Sequence, residues 1–227
     1  MRKLFIVFLF FILCILPASL RAGSSLFDNA SYSYGITAGS FLLDLGFGGE
    51  YLNSGASKAN LKTGAFLMDL RLLYAADKYF HIGLEGIFGY GGMSGGALSY
   101  GREYESEYFY IKKDENYYKT FAVLLSARAN LNPDYADRFY MPFAFGYMQK
   151  DQTTEYKAYS TVIPGWEHEF KEEKMLGQGI YAYGGFGFEH DFNTGFLGGI
   201  EARYGVFRCG GDWVSSISAL VKIGFKS

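Results

Sequence analysis

The chain has 227 residues, a formal net charge of −2 and two cysteines, with 20 Tyr, 22 Phe and 30 Gly against only 4 Pro. A balance so close to neutral gives nothing that points to a binder of nucleic acid or another polyanion, which needs a basic patch. The aromatic content favours strands and membrane interfaces, and glycine at this level outside low-complexity runs fits bends and close packing within strands.

The N-terminus reads as a secretory signal. Arg2 and Lys3 precede an unbroken apolar run from Leu4 to Leu16, followed by the small residues Ala18, Ser19 and Ala22. The run is shorter than the roughly 20 residues a spanning helix needs. Residues 1–22 are therefore expected to be removed, leaving 23–227 as one domain. Cys14 lacks the small preceding residue of a lipoprotein signal. Cys209 is then the only cysteine left, so no internal disulfide can form and a free thiol is expected.

The mature chain alternates with period two, as strands do. In 35–48, Phe41, Leu43, Leu45 and Phe47 oppose Ser40, Asp44 and Gly46. In 66–74, Phe66, Met68, Leu70 and Leu72 oppose Leu67, Asp69 and Arg71, and in 80–90, Phe80, Ile82, Leu84 and Phe88 oppose His81, Glu85 and Gly89. In 118–131, Phe121, Val123 and Leu125 oppose Thr120, Ser126 and Arg128; in 138–149, Phe139, Met141, Phe143 and Phe145 oppose Tyr140 and Ala144. In 178–190, Ile180, Phe186 and Phe188 oppose Tyr181, Tyr183 and Glu189. In 195–206, Ile200 and Tyr204 oppose Glu201 and Arg203; in 213–226, Ile217, Val221 and Ile223 oppose Ser218 and Lys222. These eight segments have the length of transmembrane β-strands.

The connections also alternate. Segments 76–78, 132–137 and 191–194 are short, whereas 49–61, 92–117, 150–176 and 207–212 are longer. Short turns at one end and long loops at the other predict an all-β, eight-stranded antiparallel transmembrane barrel, an up-and-down meander with periplasmic turns and extracellular loops.

A soluble lipocalin-like barrel would alternate as well, with its apolar face inside. The polar face here argues against it, because it is mostly Gly, Ala and Ser with one or two charges per strand, not the Lys, Glu and Thr of a solvated surface. Small residues and balanced charges suit a crowded interior. Asp44, Asp69, Glu85, Glu189 and Glu201 against Arg71, Arg128, Arg203 and Lys222 predict an ion-pair network in the lumen, since buried charge is costly unless paired.

With its signal, eight segments, loop asymmetry and final strand "ISALVKIGFKS", the mature chain resembles the small outer-membrane barrels of the OmpA/OmpX type. The resemblance implies a barrel without a periplasmic domain. It also implies a C-terminal assembly signal at Val221, Ile223 and Phe225, read by the barrel assembly machinery, although Lys226 and Ser227 follow the expected terminal aromatic.

Nothing in the sequence forms a recognisable catalytic, metal or cofactor site. An eight-stranded barrel is narrow enough for side chains to fill it, which argues against a general porin. Of three histidines only His168 falls at the outer end, between Glu167 and Glu169, without a neighbouring nucleophile or a liganding spacing. The expected function is a non-enzymatic surface role, structural or adhesive. An outer-membrane enzyme acting on lipid and a narrow channel are the alternatives. Tyr100, Tyr104, Tyr108 and Tyr110, which share one parity, together with Tyr156, Tyr159 and Trp166, are the candidate recognition residues for an extracellular protein. Their loops are both acidic.

Overall fold

A computed structural model describes residues 36–53, 62–92, 104–105, 109–192, 194–209 and 212–227. The proposed signal lies outside them, as do Tyr100, Tyr108 and the side chain of Cys209.

The strands are β1 (Phe41–Asn53), β2 (Lys62–Ala75), β3 (Phe80–Gly92), β4 (Tyr104–Glu105), β5 (Phe109–Asn130), β6 (Asp137–Ser160), β7 (Glu167–Asp191), β8 (Phe196–Cys209) and β9 (Asp212–Lys226). All but β4 form the barrel wall. Each pairs antiparallel with its neighbours, β3 pairs with β5, and β1 pairs with β9 to close the sheet. The closed meander leaves no open edge at the level of the lipid, as a medium without hydrogen-bond partners requires.

The period-two pattern sorts the side chains as expected. Phe66, Phe80, Leu125, Phe145, Ile180, Ile200, Ile217 and Val221 point outward and are exposed, while Asp69, Arg71, Glu85, Arg128, Glu201 and Arg203 are buried. Tyr51, Tyr90, Tyr147 and Trp213 stand at one border of the apolar belt, and Tyr79, Tyr135 and Phe192 at the other. Such aromatic girdles mark the two interfaces of a membrane barrel.

Two segments, and one row of tyrosines, differ from the sequence reading. Residues 150–176 were expected as a loop, but β6 and β7 run to Ser160 and from Glu167, so only 161–166 connect them. Much of 92–117 is likewise strand, because β5 starts at Phe109. Tyr104 and Tyr110, expected in one row, are not: Tyr104 stands opposite Ile111 and Glu105 opposite Tyr110. Parity does not carry over from β4 to β5.

Glycines inside the barrel make room for tyrosine rings. A Cβ at Gly187 would lie 2.1 Å from Tyr140 Cζ, and one at Gly205 would lie 2.5 Å from the Tyr181 hydroxyl. The C-terminus also joins the wall, where Ser227 N donates to Phe41 O at 3.0 Å and Phe41 N donates to Ser227 Oγ at 3.1 Å. Lys226 and Ser227, which depart from the expected terminal pattern, thus extend the β1–β9 seam.

Two outcomes are expected. Protein refolded in detergent should migrate differently on a gel before and after boiling, because the closed ladder resists SDS. Gly187→Val should lower the denaturation midpoint clearly, whereas Gly184→Val should not, because a Cβ there meets only the Phe143 ring at 3.6 Å.

Candidate functional site

The lumen is crossed by side chains from opposite walls. Arg71 on β2 is fully buried and donates from Nε to Glu85 at 3.2 Å, from Nη2 to Glu201 at 2.9 Å and from Nη2 to the Tyr183 hydroxyl at 2.9 Å. Strand β7 is four strands from β2 around the barrel, so the Arg71–Tyr183 bond spans its diameter. Arg203 on β8 reaches the facing strand β3, where Nη1 donates to Glu85 at 2.9 Å, and it also bonds Glu201 and Asp69. Lys222 donates to Asp69 at 2.7 Å. Tyr183 passes a hydrogen bond on to Glu85 at 2.5 Å, and Tyr140 donates to Glu201 at 2.9 Å. Asp44 joins at longer range, 3.8 Å from Arg71.

A second cluster lies toward the short turns. Arg128 pairs with Glu189, donates to Asn130 at 2.7 Å and stacks 3.8 Å from the centre of the Tyr140 ring. Arg138 donates to the same Glu189 at 2.7 Å and to Asp191 at 3.1 Å, and Lys226 also bonds Asp191. His81 is buried, 3.1 Å from the Asn130 amide, and His190 stands exposed beside Asp137. At the other end Lys150 donates to Glu50 at 2.8 Å and to Thr120 at 2.8 Å, joining facing strands β6 and β1.

All nine residues expected in the network (Asp44, Asp69, Arg71, Glu85, Arg128, Glu189, Glu201, Arg203, Lys222) are therefore buried and lie near opposite charges. Sequence reasoning missed Glu50, Arg138, Lys150 and Asp191 as members. Arg138 and Asp191 sit at the turn ends of β6 and β7, and Glu50 and Lys150 lie where the apolar alternation that marked the lumen face has stopped. Lys150 and Glu50 were assigned to loops for that reason.

Beyond the barrel, β5, β6 and β7 continue as a three-stranded sheet, with β4 on its β5 side. One face carries Tyr156, Ala158, His168 and Phe170, with Tyr156 stacked on Phe170 at 5.1 Å and Trp166 on His168 at 6.1 Å. The opposite face is a ladder of charges. Lys157 lies 3.7 Å from Glu167 and 3.3 Å from Glu169, and Lys171 bonds Glu155, which lifts the Lys171 ammonium above the ordinary lysine range. Of the candidate recognition residues, Trp166 is well exposed and Tyr159 half-buried, but Tyr156 is buried against the sheet and does not present itself to a partner.

Beyond Tyr181, which pairs with Phe207, no described strand pairs with β7 on its β8 side. Among the described residues, Glu167–Ile180 are bonded to β6 alone, so one edge of the sheet is open. No group of three or more metal-ligating side chains is assembled among the described residues.

The described residues have the architecture of a small eight-stranded outer-membrane β-barrel. No family model matches the chain, and no curated protein matches its sequence. Among solved structures it is similar to Neisserial surface protein A, with a TM-score of 0.51, 9% identity, and coverage of 82% of this chain and 98% of that one. It is also similar to the outer membrane protein OprG from Pseudomonas aeruginosa, with a TM-score of 0.49, 13% identity, and coverage of 85% and 98%. For the attachment invasion locus protein Ail of Yersinia pestis the values are 0.46, 12%, 84% and 100%. At these identities the likeness is one of fold alone.

Removing one partner of a buried pair strands the other charge, at a cost of roughly 3–5 kcal/mol. Arg128→Leu leaves Glu189 with fewer donors and should lower stability toward urea by that order. Lys171→Leu, on the exposed ladder, should change it far less, because solvent screens an exposed pair. Urea unfolding in lipid vesicles, followed by tryptophan fluorescence, checks the contrast.

Proposed function

We propose that this protein resides in an outer membrane, reached by export through its N-terminal leader and insertion by the assembly machinery. There it acts without catalysis as a rigid scaffold that binds an extracellular protein. The observation that carries the reading is the open edge of β7. From Glu167 to Ile180 its outer-side N–H and C=O groups face no other described strand, so an extended segment of a partner can add as a further strand. Glu167, Glu169 and Glu173 alternate along one face of that edge, with Lys171 among them. A partner strand with basic residues at every second position fits this pattern. The rigid barrel beneath supports it, since recognition on such scaffolds concentrates in the connections.

The enzyme and channel readings have less support. His168, the one histidine of the outer sheet, stacks on Trp166 and stands opposite Ala158, with no nucleophile paired to it among the described residues. The lumen is spanned by Arg71, Arg203 and Lys150, each bonded to a facing strand.

Replacing 151–176 with a short Gly-Ser turn should leave the heat-dependent gel shift intact. It should cut adherence of whole cells to immobilised extracellular proteins at least several-fold. Replacing 93–116 should have a smaller effect, because it leaves the β7 edge in place. If both replacements leave adherence to every surface unchanged, the binding role fails and a structural role remains.

A further inference from the structure

The β6–β7 hairpin ends in a cap unlike its stems. From Ala158 to Trp166 the sequence "AYSTVIPGW" holds no charged residue, whereas charges crowd the strands on both sides. Val162 is 63%, Ile163 58% and Trp166 39% exposed. The cap stands far from the lipid-facing belt, which ends near Tyr147 on β6. The twelve residues from Gln149 to Ser160 amount to roughly 40 Å of extended strand. These side chains are therefore not covered by the protein's own bilayer.

The backbone of the cap is prepared for a low-dielectric setting. Ser160 Oγ accepts from Val162 N at 3.2 Å and from Ile163 N at 3.0 Å. Trp166 N donates to Ile163 O at 3.2 Å, and Ser160 N donates to Trp166 O at 3.3 Å. Pro164 has no N–H to satisfy, and Gly165 takes the positive φ of 79° that closes the turn. Polar backbone groups already paired in this way cost little to move out of water.

We propose that this cap is a membrane-inserting tip, which seats Val162 and Ile163 in the outer leaflet of an apposed bilayer with Trp166 and Tyr159 at its interface. Size favours lipid over a protein pocket. A stable protein interface needs roughly 1,000 Å² or more, which a two-residue knob cannot supply. A fluid apolar layer needs no matching surface, and many copies on one cell add their weak contacts together. Aromatic side chains with one polar edge favour that interfacial depth. Charge narrows the class of membrane. The first charges below the cap are Lys157 with Glu167 and Glu169, so the collar is net negative and an anionic surface repels it. The bilayer that fits has zwitterionic headgroups such as phosphatidylcholine. This surface is separate from the β7 edge proposed to bind protein, and neither reading depends on the other.

The test uses full-length protein in nanodiscs, carrying Trp213→Phe so that Trp166 is the only tryptophan in the mature chain. Phosphatidylcholine vesicles with brominated acyl chains are added in trans. Trp166 emission should shift to the blue and be quenched at least twofold. The protein should float with the vesicles, and V162S/I163S should reduce flotation about tenfold while keeping the heat-dependent gel shift. Phosphatidylglycerol vesicles should bind more weakly. Unchanged emission, equal flotation of V162S/I163S, or stronger binding to phosphatidylglycerol would each overturn the proposal. So would a Trp166 shift produced by a soluble extracellular protein but not by vesicles. Replacing the six residues 161–166 with a Gly-Ser turn, while keeping the β7 edge, should abolish vesicle binding and spare adherence to protein, which separates the two readings.

Discussion

The structure turns on one constraint: hydrocarbon offers no partner to a charge or to an unpaired amide. A chain that closes a sheet in such a medium must send every charge inward. In an eight-stranded barrel the inward space is only as wide as the side chains that enter it. Charges from facing walls then meet. Arg71 reaches Tyr183, Arg203 reaches Glu85 and Lys150 reaches Glu50, each across the full diameter. The pairs satisfy their own desolvation and also brace the wall at two levels, one around Glu85 and Glu201 and one at Lys150.

The bracing follows from residue choice. Arginine supplies five donors in a planar fork of fixed geometry that pairs carboxylates bidentately, which a lysine's ammonium cannot. Arg71 and Arg203 share Glu85 and Glu201, and Arg128 and Arg138 share Glu189. The tyrosines Tyr140 and Tyr183 fit between these groups because glycines face them across the sheet, Gly187 and Gly205 among them. A rigid, crossed interior leaves the outward-reaching sheet of β5, β6 and β7 as the part of the molecule able to engage something else.

Much of this was legible in the sequence, and the exceptions share a cause. Where one face meets lipid, alternation is strong, so the strand positions and the lumen charges Asp69, Arg71, Glu85, Glu201 and Arg203 could be read directly. Past Tyr147 both faces of β6 meet water or other polar groups, and the apolar half of the pattern disappears. The extension of β6 to Ser160 and the burial of Lys150 were therefore invisible. A bulge adds a second obstacle: Lys150 pairs with Gly177 but Asp151 with Met175, so parity reverses on β7. Tyr156 looked like an exposed aromatic because sequence cannot show that Phe170 stacks on it. The Gly187–Tyr140–Arg128 stack is also a cross-strand arrangement, and no local pattern announces it.

Leu124 and Leu125 are neighbours on β5 with opposite surroundings: Leu124 is buried in the lumen at 1% exposure and Leu125 is 49% exposed on the outer wall. Methyl NMR of the protein in nanodiscs containing lipid with a nitroxide in its acyl chain compares them directly. Strong broadening of the Leu125 methyls with sharp Leu124 methyls is the result expected of a barrel that turns its apolar face to lipid and its charges inward. Equal broadening, or broadening of Leu124 alone, would contradict that arrangement.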